Sequence, residues 1–310
     1  MSTAARVKEL LAKFQPAQRS PEWYAIRNTS VSASEVSSLL TCTPQVVGPY
    51  NEQFGTNVPA NGKCCSAFKS KSDFILDKCK ASLGISTFQD SIFTLWGKKY
   101  EQAATRLYCQ LRGVKVLEFG SLASDTYTWL RASPDGITPE GVMLEIKCPF
   151  SRKINGKVPL SYWQQMQIQL HTAGLSECDY LECEIRDVAK QEWLDFENAR
   201  VVGVLVEHDE KFIYPDENID THEGYLQFIQ GTPGKPWYYI ITKYNIVNVR
   251  ACPEWIEHVV PILKEAHETF TRLQEDPELC KSYIQDRFNE KNKGYFEKQK
   301  ADCEIKDFYI

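Results

Sequence analysis

Several features that would mark a membrane, secreted or metal-thiolate protein are missing from this sequence. No apolar run approaches the roughly 20 residues needed to cross a bilayer. The opening Met-Ser-Thr-Ala-Ala-Arg-Val-Lys leads into charged and polar residues, so no secretory signal is expected. Cys-x-x-Cys is absent. The 11 cysteines are odd in number and scattered; the nearest pairs, Cys64 with Cys65 and Cys178 with Cys183, lack the two-plus-two grouping of a zinc or iron–sulfur site. They suit free thiols in a reducing compartment, cytoplasm or nucleus, of a host cell if the source is viral. The 5 histidines show no metal-ligand spacing. A basic excess is missing too. The net charge of −5 argues against indiscriminate nucleic-acid binding, which draws its affinity from lysine and arginine displacing counterions from phosphates.

What remains is ordinary for a soluble globular chain: 310 residues, 43% hydrophobic and 25% charged. Helical spacing predicts helices over 3–14, from Ser20, over 91–111, 159–173 and 255–273, with a short one from Ser34 toward Leu40. Strands are expected over 114–119, 126–132, 142–148, 179–184, 200–207 and 238–248. Prolines, glycines and small polar residues over 41–66 read as a long surface excursion. No internal repeat is visible. The alternation favours an α/β fold, a mixed central sheet flanked by helices. Residues 1–275 form one domain with an insertion at about 41–88, and 276–310 a charged tail.

The chemistry concentrates between Ser133 and Pro149, where Ser-Pro-Asp-Gly places Asp135 ten residues ahead of Glu145 on a strand that also carries Lys147. Alternation along that strand gives Val142, Leu144, Ile146 and Cys148 one apolar face and leaves Glu145 and Lys147 on the other. Charges on an inward face need partners, and a divalent cation is the simplest. Phosphodiester hydrolysis asks for a cation, an activated water and a charge on the developing oxyanions. Asp135, Glu145 and the Ile146 carbonyl are hard oxygen donors suited to magnesium or manganese. Glu101, on the flank of the 91–111 helix, is a further donor, to the same ion through water or to a second one. Lys147 can orient the attacking water or offset phosphate charge. Gln165, on a helical face with Tyr162 and Gln169, can donate to a phosphate or to that water. Arg27 precedes a polar stretch through Ser34 that opens a helix, and both arginine forks and helix-start amides hold phosphate oxygens.

Each piece has a plainer reading. Ser-Pro-Asp-Gly is a favourable turn, Glu145-x-Lys147 suits a cross-strand ion pair, and four glutamines suit a solvated helix. The lysines at 63, 69, 71, 78 and 80 read as a solvated face compatible with DNA.

Taken in order, the motifs resemble the phage lambda-type exonucleases and YqaJ-like viral recombination nucleases of the PD-(D/E)XK superfamily. The carriers are Ile26-Arg27 with Ser32-Ala33-Ser34-Glu35, Trp96-Gly97-Lys98-Lys99-Tyr100-Glu101, Ser133-Pro134-Asp135-Gly136, Leu144-Glu145-Ile146-Lys147-Cys148-Pro149, and Tyr162 with Gln165-Met166-Gln167. The resemblance implies a restriction-endonuclease-like fold. It also implies magnesium on Asp135 and Glu145 with Glu101 in the metal shell, Lys147 assisting the water, and Arg27, Ser34, Ser133 and Gln165 around the phosphate of a DNA 5′ end. The activity implied is 5′-to-3′ digestion of duplex DNA in recombination, repair or viral replication. Relatives can form trimeric rings around DNA and work with a single-strand annealing protein. Two alternatives stay open: a structure-specific or RNA-directed endonuclease on the same fold, and a non-catalytic DNA-binding scaffold.

Overall fold

Serine-led starts and glycine stops delimit many of the helices. Ser2, Ser20, Ser70 and Ser91 accept hydrogen bonds at helix N-termini, while Gly55, Gly113 and Gly174 end helices in the left-handed conformation. The structure, a computed structural model, describes residues 2–85, 91–196, 198 and 201–307, with side chains described to residue 293. Its helices are α1 (Thr3–Ala12), α2 (Pro21–Asn28), α3 (Pro44–Phe54), α4 (Lys71–Ser82), α5 (Ile92–Arg112), α6 (Leu160–Ala173), α7 (Lys190–Leu194), α8 (His222–Gly231), α9 (Pro253–Gln274) and α10 (Pro277–Asp307), with a 3-10 turn over Ala33–Ser38. The strands are β1 (Val31–Ser32), β2 (Leu122–Ala123), β3 (Leu130–Ala132), β4 (Gly136–Ile137), β5 (Met143–Lys147), β6 (Glu177–Val188), β7 (Val202–His208), β8 (Lys211–Ile213) and β9 (Lys235–Arg250).

The larger sheet runs β4-β5-β6-β9-β7-β8, with β5 parallel to β6 and the other neighbours antiparallel. A parallel pair needs a crossover, and α6 supplies it. This is the expected mixed central sheet flanked by helices. A smaller sheet, β1-β3-β2, stands beside it. The two are joined through Ser133-Pro134-Asp135, which leads from β3 into β4.

Alternation on β5 separates two cores. Leu144, Ile146 and Cys148 pack with Tyr100, Ala104 and Leu107 of α5. Met143 belongs to the opposite core, with Met166 and Leu170 of α6 and Trp255 and Leu263 of α9. There Trp163 and Trp255, both essentially inaccessible, meet edge to face at 5.2 Å, which adds about 1 kcal/mol to what their burial supplies.

Three expectations change. The surface excursion expected over 41–66 instead feeds the core: α3 delivers Val46, Val47 and Tyr50, and α4 beyond it adds Phe74, Ile75 and Cys79. Polar composition hid two short helices, the second capped by the Ser70 side chain. The end of the expected insertion, 86–88, lies outside the described residues, as do Arg200 at the start of one expected strand and the last three residues of the tail. Residues 114–119 form one isolated bridge, Leu117 to Ile137, instead of a strand. The charged tail is helical from Pro277, and its first turns dock: Cys280 is fully buried and the Tyr283 hydroxyl donates to the Ser72 carbonyl at 3.3 Å.

Candidate active site

Asp135 is placed by its turn. At Gly136 a Cβ would stand 2.1 Å from Val116 Cγ1, so only glycine lets the chain pass there. The Asp135 carboxylate then accepts from the Ile146 backbone N–H at 2.6 Å. Because N–H and C=O of one strand residue point to the same edge, the Ile146 carbonyl lies on the Asp135 side as well.

Glu145 and Lys147 share the face of β5 that meets α6. Glu145 is wholly buried and its carboxylate is ion-paired with Lys147. Gln165 Nε2 donates to Glu145 Oε1 and Gln169 Nε2 to Oε2, each at 2.7 Å. Lys147 also lies over the Tyr162 ring, 5.0 Å from its centroid. Thus α6 is no solvated helix: Gln164, Gln167 and Gln169 are buried, and Gln165 holds the glutamate.

Electrostatics mark this cluster as short of positive charge. Burial and then the neighbouring Glu145 push the Asp135 carboxyl well above its ordinary pKa, against the pull of Lys147. Burial works against the Lys147 ammonium, but Glu145 and Asp135 outweigh it and hold its pKa above the ordinary value, so Lys147 stays charged. Two buried carboxylates facing one ammonium fit a hard divalent cation by donor type and by residual charge. Asp135, Glu145 and the Ile146 carbonyl would hold it.

Glu101 is not in contact with this pair. Its carboxylate forms an ion pair with Arg19 at 3.0 Å, both groups well exposed. It is near enough to add to the upward push on Asp135. Among the described residues, no group of three or more His, Cys, Asp or Glu side chains is close enough to hold an ion. Asp135 and Glu145 come together directly, while Glu101 stands nearby in an ion pair with Arg19.

Next to the carboxylates lies a cavity of about 150 Å³, and it gathers Arg27, Ser34, Ser133 and Gln165, the four residues expected around a phosphate. The small sheet builds its floor by pairing Ser32 of β1 with Arg131 of β3. Arg27 donates to Ser34 Oγ at 3.1 Å and lies over Trp23, 5.1 Å from the ring centroid. Trp23 Nε1 donates to Ser133 Oγ at 2.9 Å, which leaves the Ser133 hydroxyl proton to point elsewhere. Gln165 and Gln169 line this cavity and also grip Glu145, so cavity and carboxylates share a wall.

Sequence reasoning missed Gln169 as a Glu145 partner, although its helical spacing from Gln165 carried the signal. It also missed Arg131, which no motif flags. Lys78, read as part of a solvated face, is almost inaccessible and bonds Glu35 Oε2 at 3.1 Å and the Arg27 carbonyl at 2.6 Å. Two neighbours of that face are paired as well, Lys69 with Asp77 and Lys71 with Glu265.

Residues 55–176 match the YqaJ-like viral recombinase domain, a span that includes Glu101, Ser133, Asp135, Glu145, Lys147 and Gln165. The matched segment is similar to a YqaJ-like domain. Arg27 and Ser34 lie ahead of the matched segment of that YqaJ-like domain, yet they share its cavity. An uncharacterized protein of Acanthamoeba polyphaga mimivirus is 31% identical over 197 residues, 58% of this chain. The chain spans about a third of that relative, 31% of its length. Among solved structures, the chain is similar to an alkaline exonuclease from Laribacter hongkongensis, 17% identical with a TM-score of 0.47 over 87% of this chain and 99% of that one. A phage related exonuclease from Haemophilus somnus 129PT is 14% identical with a TM-score of 0.47, over 79% of this chain and 94% of that one. Among the described residues, no helix is long and apolar enough to cross a membrane.

Proposed function

We propose that this protein is a metal-dependent exonuclease that hydrolyses linear duplex DNA from a 5′-phosphorylated end in the 5′-to-3′ direction, with magnesium as the natural ion and manganese able to replace it. The observation that carries this reading is the shared wall: a carboxylate pair short of positive charge lies one glutamine side chain away from a cavity rich in hydrogen-bond donors. A divalent ion bound there would supply Lewis acidity and lower the pKa of an attacking water.

The chain's own residues do the rest. Asp135 and Glu145 hold the ion, and the Ile146 N–H fixes the Asp135 carboxylate in place. Lys147, kept charged by its neighbours, orients the attacking water or offsets charge on the scissile phosphate. Gln165 and Gln169 lock the Glu145 rotamer, so the carboxylate needs no reorganisation when substrate arrives. Arg27, Ser34 and Ser133 hold the terminal phosphate beyond that wall and set where the backbone lies. A role in recombination, repair or viral replication, a ring-shaped homo-oligomer and a single-strand annealing partner belong to the same reading. The matched YqaJ-like domain supports a recombination nuclease.

The test is digestion of end-labelled linear duplexes, with and without a 5′ phosphate, in magnesium, by wild type, Asp135→Ala and Lys147→Ala. Wild type should shorten the phosphorylated strand from its 5′ end and both variants should lose the activity. Equal digestion by all three would refute the reading.

A further inference from the structure

The cavity beside Glu145 contains a second guanidinium that the motifs do not account for. Arg131 sits at the middle of β3, opposite Ser32 in the parallel register with β1, so its side chain enters on the Ser32 side. It is half-buried, and one edge of its fork is held rigidly: Nε donates to Ser121 Oγ at 2.9 Å and Nη2 to the Ser121 carbonyl at 2.7 Å. Ser121 is itself buried. This brace leaves Nη1 without a protein acceptor among the described contacts. No carboxylate among the described residues forms an ion pair with Arg131. Burial alone pushes its pKa down, with no acid nearby to counteract it. A half-desolvated cation with no counter-ion is costly unless an anion arrives to complete it.

The rest of the cavity has the same character. Arg27, Ser34, Ser133 and Gln165 present donors, and no carboxylate lines the space. Arg27 is one of two cations around Glu35, the other being Lys78, so that neighbouring cluster is also left with positive charge to spare. Two guanidiniums on one small cavity match a ligand with two negative charges better than one with a single charge. A phosphate monoester at a strand end is such a ligand near neutral pH, whereas an internal phosphodiester carries one charge and a terminal hydroxyl none.

We infer that Arg131, braced by Ser121, is a specificity-determining residue: it pairs with Arg27 across the cavity to select a terminal phosphate monoester over a hydroxyl end or an internal phosphodiester. This rests on the end-phosphate reading given above and adds to it a residue outside the recognised motifs. Ser121 acts through Arg131 and is a positioning residue.

The experiment is equilibrium binding in chelator, which removes any contribution from hydrolysis. The probes are short fluorescent duplexes identical except for a 5′ phosphate or 5′ hydroxyl, offered to wild type, Arg131→Gln, Arg131→Lys and Ser121→Ala. Wild type should prefer the phosphorylated end by about tenfold or more, the scale of one charge-assisted fork. Arg131→Gln should lose most of that preference and lower the salt dependence of binding by about one counterion. Arg131→Lys should keep part of it, because charge returns without the fork. Ser121→Ala should weaken the preference a few-fold. Thermal melting of each variant separates loss of fold from loss of preference; if Arg131→Gln does not fold, Arg131→Lys and Ser121→Ala carry the test. A wild-type preference that survives in every variant overturns the role of Arg131 and leaves the end-phosphate reading intact. No preference in wild type overturns both.

Discussion

Two inward carboxylate–lysine pairs flank the serine-lined cavity, and their surroundings differ in sign. Glu35 accepts from the Ser32 backbone N–H at 3.0 Å and from Ser32 Oγ at 2.8 Å, with Lys78 at 3.1 Å and Arg27 at 3.5 Å. One carboxylate there faces two cations. Glu145 has a single cation, Lys147, and a second carboxylate, Asp135, pressing on it. The first cluster ends with surplus positive charge beside the serine-lined cavity, and the second with surplus negative charge behind it. Gln165 and Gln169 line the cavity and hold Glu145 on the far side. A buried ion pair is weak evidence for stability in itself. What is informative is the imbalance, because each remainder names the charge of the ligand that would cancel it.

The comparison breaks most sharply at the negative cluster. Asp135→Ala should reduce hydrolysis of 5′-phosphorylated duplex by about a thousandfold, ~4 kcal/mol of transition-state stabilisation, measured as initial rate at saturating magnesium. Asp135→Asn should be equally inactive yet raise the thermal midpoint in chelator, because it removes one of two repelling carboxylates and keeps an acceptor for the Ile146 N–H. A lower midpoint would mean that Asp135 is a structural acid, as Glu35 is.

At the positive cluster the effect falls on stability. Glu35→Ala leaves Lys78 buried without its carboxylate and should cost about 3 kcal/mol in urea denaturation, the lower end for such a deletion because the Arg27 carbonyl still accepts from Lys78. A loss below about 1 kcal/mol would show that the pair contributes little.

The same pair gives a pH signature. Burial would raise the Glu35 carboxyl, but Arg27 and Lys78 outweigh it, with help from Ser32, and hold its pKa down to about 2 against an ordinary value of 4.5. A folded-state pKa below the unfolded one stabilises above the unfolded value and is lost as pH falls through the folded one. Stability should therefore drop between about pH 4.5 and 2, by at most about 3 kcal/mol, and Glu35→Gln should remove that part of the slope. Urea midpoints across that range provide the measurement.

The smallest effect belongs to the exposed pair. Arg19→Gln releases Glu101 and should change stability by under about 1 kcal/mol. If the freed carboxylate turns toward Asp135, the magnesium concentration for half-maximal activity should fall. An unchanged requirement would leave Glu101 outside the metal shell.

The sheet-borne part of this site was legible because strands have a short, strict period: Leu144, Ile146 and Cys148 on one side and Glu145 and Lys147 on the other could be assigned from alternation alone. Ser-Pro-Asp-Gly announced its turn, and the cavity residues Arg27, Ser34, Ser133 and Gln165 came from motif order. Contacts that depend on packing did not show. Arg131 enters the cavity only because β1 and β3 pair in parallel, a register set by residues 99 positions apart in sequence. Lys78 looked solvated because α4 carries charged residues around its buried stripe, and only docking against Phe74 and Phe270, 5.0 and 5.6 Å from its ammonium, reveals it as interior. Glu101 was placed near the ion from its helix, and its ion pair with Arg19, far off in sequence, was not visible.

Strand β9 pairs with β6 along its whole length, from Glu177 opposite Arg250 to Val188 opposite Tyr238, and with β7 on its other side. Until that strand leaves the ribosome, β6 has β5 on one flank and an open edge on the other, a template for stray association. The residues assigned here to chemistry are thus translated well before the strand that seals their support. A nascent or truncated chain lacking β9 holds every proposed catalytic side chain on an unfinished platform, and the proposed hydrolysis would wait on the late arrival of a segment that takes no part in it.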